Sequence, residues 1–422
     1  MLQNDIPHDT GYERKTLILL ALGFALVGLD RWIIAPLFPH MMKDLGLDYQ
    51  QFGALIGILS LTWGICAITM GRLADRIGHR KIIIASMVLF SLLSSFSGFA
   101  SGFASLLLIR AMMGVAEGAF LPAGVAATDE VSHPSRRGFN QGLLFSMAAL
   151  MGLGLAPIIA TQLLRVLPSW HWVFAISAIP GFVVALLITM MLRDHPRGEF
   201  DGKANVRASD KPRWSTLFRS RNVVLAMLAT LCAMAGIFVI SAMVPNYLVD
   251  YLHLDTEHMG FVVSALGVGG FIGEFALAGV SDFIGRRVTA VASFVLAAIS
   301  LYVFARIGAD PWALFFALFV VSFFALGLLG LFTGPIATEA APQGLVASAI
   351  GITSGAGEIF GGGVAPAMAG FIAQHYGIQF TLPFALVGLS CGAFVSLALM
   401  ETAPRLLARR EAAAAAASPG PF

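Results

Sequence analysis

Charge is scarce in this chain. Asp, Glu, Lys and Arg supply only 12% of its 422 residues, where soluble domains carry about 25%. That shortage excludes the two or three soluble domains that the length alone would suggest. Formal net charge is only +2, which leaves no basic face for a nucleic-acid partner. Cysteine is equally sparse. Cys66, Cys232 and Cys391 all fall inside apolar segments, so they build no disulfide framework and offer no metal-ligand spacing. No cluster of His, Asp and Glu and no Ser–His arrangement sits at a membrane interface. An integral membrane enzyme is therefore not expected, and no motif asks for a metal or another cofactor. Residues 1–15 are polar and hold no apolar core before a small-residue cleavage site. The expectation is that no secretory peptide is removed and that the first span is its own insertion signal.

Long hydrophobic runs are what the chain has instead. Hydrophobic residues make up 58% of it, and about 20 consecutive apolar residues cross a bilayer. Such runs recur at 16–38, 52–71, 82–101, 104–127, 138–163, 172–192, 222–248, 257–279, 288–305, 313–335, 345–372 and 379–400. Twelve runs predict an all-α integral membrane fold. Most connections are short. The exception, 193–221, contains Asp194, Pro196, Gly198, Asp210, Lys211 and Pro212. It reads as a solvated linker, with room for a helix along the membrane surface. The expected organisation is a terminus at 1–15, a six-helix bundle at 16–192, the linker, a second six-helix bundle at 222–402 and an alanine-rich tail at 403–422. Alternating the loops places 21 of the 26 Lys and Arg residues on the side of the termini. Only Lys43, Arg165 and Arg306 fall on the other side, and Arg31 and Arg110 lie within spans. Cytoplasmic loops carry that excess, so both termini are expected in the cytoplasm and the chain in a bacterial inner membrane.

The two sets of six spans repeat one another. Gly71-Arg-Leu-Ala-Asp75-Arg76-Ile-Gly78-His79-Arg80-Lys81 follows span two, and Gly279-Val-Ser-Asp282-Phe-Ile-Gly285-Arg286-Arg287 follows span eight. Asp75 and Asp282 are 207 residues apart, as are Gly78 and Gly285. Pro36 and Pro245 are 209 apart, and so are Pro157 and Pro366. Equal topology in both halves implies parallel repeats about an axis normal to the membrane. The Gly71 to Lys81 segment resembles the loop-2/3 signature of the major facilitator superfamily, G-x-x-x-D-R-x-G-x-R-K, and the resemblance covers essentially the whole chain. It implies alternating access, in which two bundles rock about a central site. It also implies a gate and topology anchor made by Gly71, Asp75, Arg76, Gly78 and Arg80, with Asp282, Gly285 and Arg286 as the second copy. Asp75 can accept from a nearby helix N-terminus or arginine. Glu274, eight residues before Asp282, is expected to pair with that second loop.

A few charges lie deep within the spans, although each costs roughly 3 kcal/mol to insert and usually marks an ion or substrate path. Asp30 and Arg31 are adjacent in span one, Arg110 and Glu117 share span four, and Glu358 is in span eleven. Asp30 lies about 21 Å and Glu117 about 20 Å into the membrane from opposite sides, so both are near mid-depth. Arg110 and Glu117 are two turns apart on one helix face, about 10 Å. Arg31 is rotated about 100° from Asp30, so one can face a cavity while the other faces a neighbouring helix. Burial and a nearby guanidinium act on a carboxylic acid's proton affinity in opposite directions, and a guanidinium fork fits a carboxylate or phosphate. Two acids and two arginines therefore suit co-transport of protons with a small organic anion. The alternative is that they are static ion pairs holding the helices in register.

Leu29-Asp30-Arg31 and the Arg110-x6-Glu117 spacing resemble the anion:cation symporter family, which carries sugar acids and other organic acids. The resemblance implies that Asp30 and Glu117 carry protons and that Arg31 supports anion binding. The same pattern, with Gly114-Val-Ala-Glu117-Gly-Ala-Phe-Leu-Pro122-Ala, also resembles bacterial spinster-like carriers. Glu358 is a candidate for a second proton site, for a hydrogen bond to a substrate hydroxyl, or for a protonated structural acid. Arg110, Trp63, Gln141, Asn246, Tyr247 and Ser354 are candidates to line the substrate site with Arg31, and Thr62, Ser146 and Thr333 are weaker ones. Trp32 and Trp63 could stack on an aromatic or sugar face. The expected function is proton-coupled symport of a sugar acid, aromatic acid or other carboxylate by a monomer. The alternative is a proton-driven exporter of drugs or lysolipids. Two intramembrane arginines favour the anion over a cationic drug.

Overall fold

The computed structural model describes residues 9–133, 137–193, 214–342, 345–403 and 406. Twelve helices in them are long and apolar enough to cross a membrane. Spans one to six are Thr10–Leu45, Tyr49–Met70, His79–Ser97, Phe103–Thr128, Asn140–Val166 and Trp170–Met191. Spans seven to twelve are Arg221–Tyr251, Thr256–Ile284, Arg286–Phe304, Pro311–Ala340, Ser348–Tyr376 and Ile378–Leu397. Each overlaps one of the apolar runs over most of its length. Helix is the form a single segment takes in lipid, because it satisfies its own backbone groups. Large apolar side chains such as Phe99, Leu108, Val166, Met190 and Phe394 are exposed on the outside of the bundle, as lipid contact requires.

Prolines shape the spans where the sequence placed them. Pro36 has no N–H for the Trp32 carbonyl, and the helix Thr10–Trp32 gives way to a second segment, Ile34–Leu45, at Ile33. Pro157 and Pro366 each follow a stretch of widened turns, at Leu150–Leu155 in span five and Gly357–Val364 in span eleven. A proline removes the bond to the fourth residue before it, and a wide turn absorbs the mismatch. The matching positions of these stretches make the repeat visible in the backbone.

Spans two and eleven cross between the halves, and so do spans five and eight. A methyl group at Gly57 would overlap the Gly363 carbonyl, and one at Gly267 would overlap Gly154. Only glycine permits backbones this close. Three polar contacts between the halves lie at the end opposite the termini. Tyr49 Oη donates to Asp250 (2.9 Å), the Tyr49 backbone N–H donates to Gln374 (3.2 Å), and Arg165 pairs with Glu257 (3.0 Å). Of the expected linker, residues 194–213 lie outside the described residues. Its end forms a short helix, Trp214–Arg219, whose Leu217 is buried against Val223, Leu345 and Ala349 of the second half.

Candidate functional site

Span one delivers its adjacent charges to two different places. The Asp30 side chain is buried within the first half, where Ser94 Oγ of span three donates to its Oδ1 at 2.8 Å. Arg31 points the other way, across the interface between the halves. Its Nη2 lies 2.6 Å from Glu358 Oε2, its Nη1 3.3 Å from Glu358 Oε1, and Nη2 also donates to Ser60 Oγ at 2.8 Å. This two-pronged pair is the strong form of an arginine–carboxylate contact. Arg31 is therefore not the counter-ion of Asp30, which the static-pair reading would have made it.

Aromatic rings enclose the same guanidinium. Its centre lies 4.9 Å from the Phe238 ring, 5.6 Å from Trp63 and 5.8 Å from Trp32. Trp32 and Phe238 meet edge to face across the halves at 5.3 Å. Trp63 Nε1 is buried and has no hydrogen-bond partner among the described residues.

Arg110 and Glu117 are fully buried, yet they do not form the close pair that a shared helix face could allow. Arg110 Nη1 donates to the backbone carbonyls of Asp30 (3.1 Å) and Arg31 (3.3 Å). Its Nε and Nη2, and both carboxylate oxygens of Glu117, meet no hydrogen-bond partner among the described residues. The charges acting on Glu117 are those of Arg31, Asp30, Arg110 and Glu358. Five ionisable side chains from three spans thus form one electrostatic group.

Of the other candidate lining residues, all but Ser354 fall elsewhere. Ser354 is one turn from Glu358 and shares its side of span eleven. Gln141 lies eleven residues before Gly152, which packs on Gly28 of span one, and so sits roughly 16 Å toward the termini. Asn246 lies eight residues past Phe238, about 12 Å toward the far end, where its side-chain nitrogen donates to Asp250 at 3.0 Å. Tyr247 turns into the second half and stacks on Tyr251 at 5.1 Å. Thr62, Ser146 and Thr333 bond to carbonyls of their own helices. Sequence spacing gave the depth of these residues but not the direction of their side chains.

The two loop motifs share one backbone device. Gly78 and Gly285 both have positive φ, at 95° and 104°, a conformation that glycine adopts without strain. Gly71, Asp75 and Arg76 fall in the last turns of a helix spanning Tyr49–Ile77, and their side chains lie outside the described residues. Arg80 donates to the Thr189 carbonyl at 2.6 Å, and His79 lies 2.8 Å from Glu130. In the second copy Arg286 lies 2.7 Å from both Asp282 and Glu339 and also donates to Ser281 Oγ. Glu401 accepts the backbone N–H groups of Arg286 (2.8 Å) and Arg287 (3.3 Å), capping span nine. Glu274 does not join this group, and it has no hydrogen bond or ion pair among the described residues. It lies more than two turns before Asp282, about 12 Å by helix rise, packs on Gly330 of span ten, and leaves Arg286 to Glu339. Glu339 and Glu401 were missed in the sequence. Glu339 lies 209 residues after Glu130, so the repeat offset could have found it. Nothing local marks Glu401.

Comparison with known proteins agrees with this architecture. The family model described as Major Facilitator Superfamily matches residues 20–231 and again 226–421. The chain is 27% identical to the "Probable 4-methylmuconolactone transporter" of Cupriavidus pinatubonensis, over 92% of this chain and 91% of that protein. It is 25% identical to the "Probable L-galactonate transporter" of Escherichia coli strain K12, over 92% and 90%. Its fold is similar to that of a crystallised bacterial homologue of the human lysosomal transporter Spinster, with a TM-score of 0.77 at 17% identity, over 93% of this chain and 97% of that one. Two matches of one family model, twelve membrane-capable helices and the paired loops agree: the chain is an integral membrane transporter of the Major Facilitator Superfamily.

Proposed function

We propose that this chain is a proton-coupled symporter of a small organic carboxylate, working by alternating access between its two halves. The observation that carries the reading is the Arg31 fork held by Glu358 across the interface between those halves. A carboxylate already occupies the position an incoming carboxylate would want. Substrate can take that place only if Glu358 gives it up, and a proton on Glu358 weakens its hold on the guanidinium. Binding of the anion and uptake of a proton are thereby linked at one contact, and that contact spans the parts that must move.

Asp30 and Glu117 are the further proton carriers in this reading. Each is buried with one or no hydrogen-bond partner from the described residues, an expensive state that function can explain. Arg110 holds the backbone of Asp30 and Arg31 in place and supplies positive charge beside them. The relative named for L-galactonate supports an organic anion as substrate. The two loop motifs are the gate elements, on the side of the termini, which we place in the cytoplasm of a bacterial inner membrane. The working unit is a monomer.

The test is uptake of labelled carboxylates into proteoliposomes under an imposed proton gradient, with and without a protonophore. Accumulation that the protonophore abolishes is the expected result. Accumulation indifferent to it would overturn proton coupling.

A further inference from the structure

Carboxamides are missing from the middle of this membrane protein. The chain has thirteen Asn and Gln residues: Gln3, Asn4, Gln50, Gln51, Asn140, Gln141, Gln162, Asn205, Asn222, Asn246, Gln343, Gln374 and Gln379. Each lies outside the spans or toward a span end, and the two with a claim on the central site are elsewhere. Asn246 is bonded to Asp250 at the far end, and Gln141 is roughly 16 Å from the charged group by helix rise. A polyhydroxylated acid presents four or five hydroxyls, each of which needs a partner when it leaves water. Apart from the charged side chains, the layer around Arg31 holds fewer than that among the described residues. It offers Ser60, which Arg31 already uses, Ser354 one turn from Glu358, the unpartnered Trp63 indole N–H and the unpartnered Thr230 hydroxyl.

Ring surface is abundant in that same layer. Trp32, Trp63 and Phe238 surround the Arg31 guanidinium within 6 Å. Met234 and Phe238 pack on the glycines that flank Glu358, at Gly357, Gly361 and Gly362. The wall contributed by the second half is therefore largely apolar, with Glu358 as its charged group and Thr230, whose methyl packs on Gly357, as the hydroxyl beside it. Such a wall suits a flat hydrocarbon body and penalises hydroxyls.

We propose that the central site takes a carboxylate borne on a compact, flat, apolar or unsaturated ring. Its carboxylate replaces Glu358 on Arg31, its face lies against Phe238 and Trp63, and the Trp63 N–H is the donor for one further oxygen on the ring. This rests on the carboxylate reading above and narrows it against polyhydroxylated sugar acids.

The experiment is ligand-induced thermal stabilisation and tryptophan fluorescence quenching on the purified full chain, using benzoate, cyclohexanecarboxylate, D-galactonate and D-glucuronate. Benzoate is expected to bind at least about tenfold more tightly than either sugar acid, the cost of hydroxyls left unpaired. Cyclohexanecarboxylate is expected between them, since it keeps the apolar body but loses the flat face. Phe238→Leu and Trp63→Leu are expected to weaken benzoate roughly 3- to 10-fold, with the sugar acids unmoved. Trp63→Phe keeps a ring and should restore most of the benzoate affinity while losing preference for a ring-hydroxylated benzoate. Galactonate or glucuronate binding as tightly as benzoate would overturn the ring class and leave the carboxylate reading intact. Benzoate affinity unchanged in folded Phe238→Leu and Trp63→Leu would also overturn it. Binding of no carboxylate by a folded wild-type protein would overturn both.

Discussion

Where span one carries Asp30 and Arg31, the 209-residue offset of the repeat sets Val239 and Ile240 in span seven. Arg110 and Glu117 of span four map in the same way onto Phe319 and Leu326 of span ten, and Glu358 maps back onto Ala149. The halves agree closely elsewhere. Both have a positive-φ glycine after their second span, both have widened turns before the proline of their fifth, and they meet through mirrored glycine contacts. The symmetric features are those of backbone and packing, which any rocking pair of bundles needs twice. The asymmetric features are the charges of the central group, four in the first half with the single acid Glu358 opposite. Two charged halves would face each other across the interface with like charges and unsatisfied donors, a costly arrangement. One charged half against an apolar half with one counter-ion keeps the interface able to part.

The largest expected effects come from removing the asymmetry in the first half. Asp30→Asn and Glu117→Gln should each abolish proton-driven accumulation in liposomes, and at least one should retain counterflow, because the amide imitates the protonated acid. Normal uphill accumulation in both mutants would end the proton-carrier reading. Arg31→Lys should weaken substrate affinity about tenfold or more, since a point charge does not replace a planar fork. Calorimetry that finds unchanged affinity there would reduce Arg31 to a counter-ion of Glu358.

Next in size is Glu358, the charge that the second half contributes to this central group. Glu358→Gln leaves Arg31 without its competitor. Substrate should bind about tenfold more tightly at alkaline pH, the weight of roughly 1.4 kcal/mol, while coupled accumulation falls. Affinity that keeps the wild-type pH profile in this mutant would show that Glu358 and substrate do not compete.

Smaller effects belong to the symmetric features. Asp75→Asn should slow turnover with affinity kept within a few-fold, as should Asp282→Asn less severely, since Arg286 keeps Glu339. Glu339→Gln should exceed Asp282→Asn in this respect, because it leaves the nearly buried Arg286 with its more exposed partner. Uptake rates at saturating substrate, set beside calorimetric affinities, would reverse that order if Asp282 is the true anchor. The smallest change is Tyr49→Phe, which removes one bond between the halves worth about 1 kcal/mol. It should shift the balance between the two access states a few-fold, read by labelling a cysteine placed at the far end. No shift in accessibility would make the Tyr49–Asp250 contact irrelevant to gating.

Much of this protein was legible in its residues. Apolar length gives the twelve spans because lipid allows each segment to be read alone. The proline and loop offsets give the repeat. Helix periodicity separated Asp30 from Arg31 but could not say which neighbour each would meet. That required knowing that span eleven packs on span two and so brings Glu358 to Arg31, 327 positions apart. The same limit governed Asn246, Tyr247 and Gln141, whose polar character suggested a cavity while packing carried them to the far end, a bundle interior and a span end. It also governed Glu274, whose nearness in sequence to Asp282 counted for less than the fold placing Glu339 against Arg286. Sequence by itself determined the spans and their number, because these depend on one helix in a slab. Only the tertiary structure decided the partners, because a side chain's direction acquires meaning when a second helix lies in front of it.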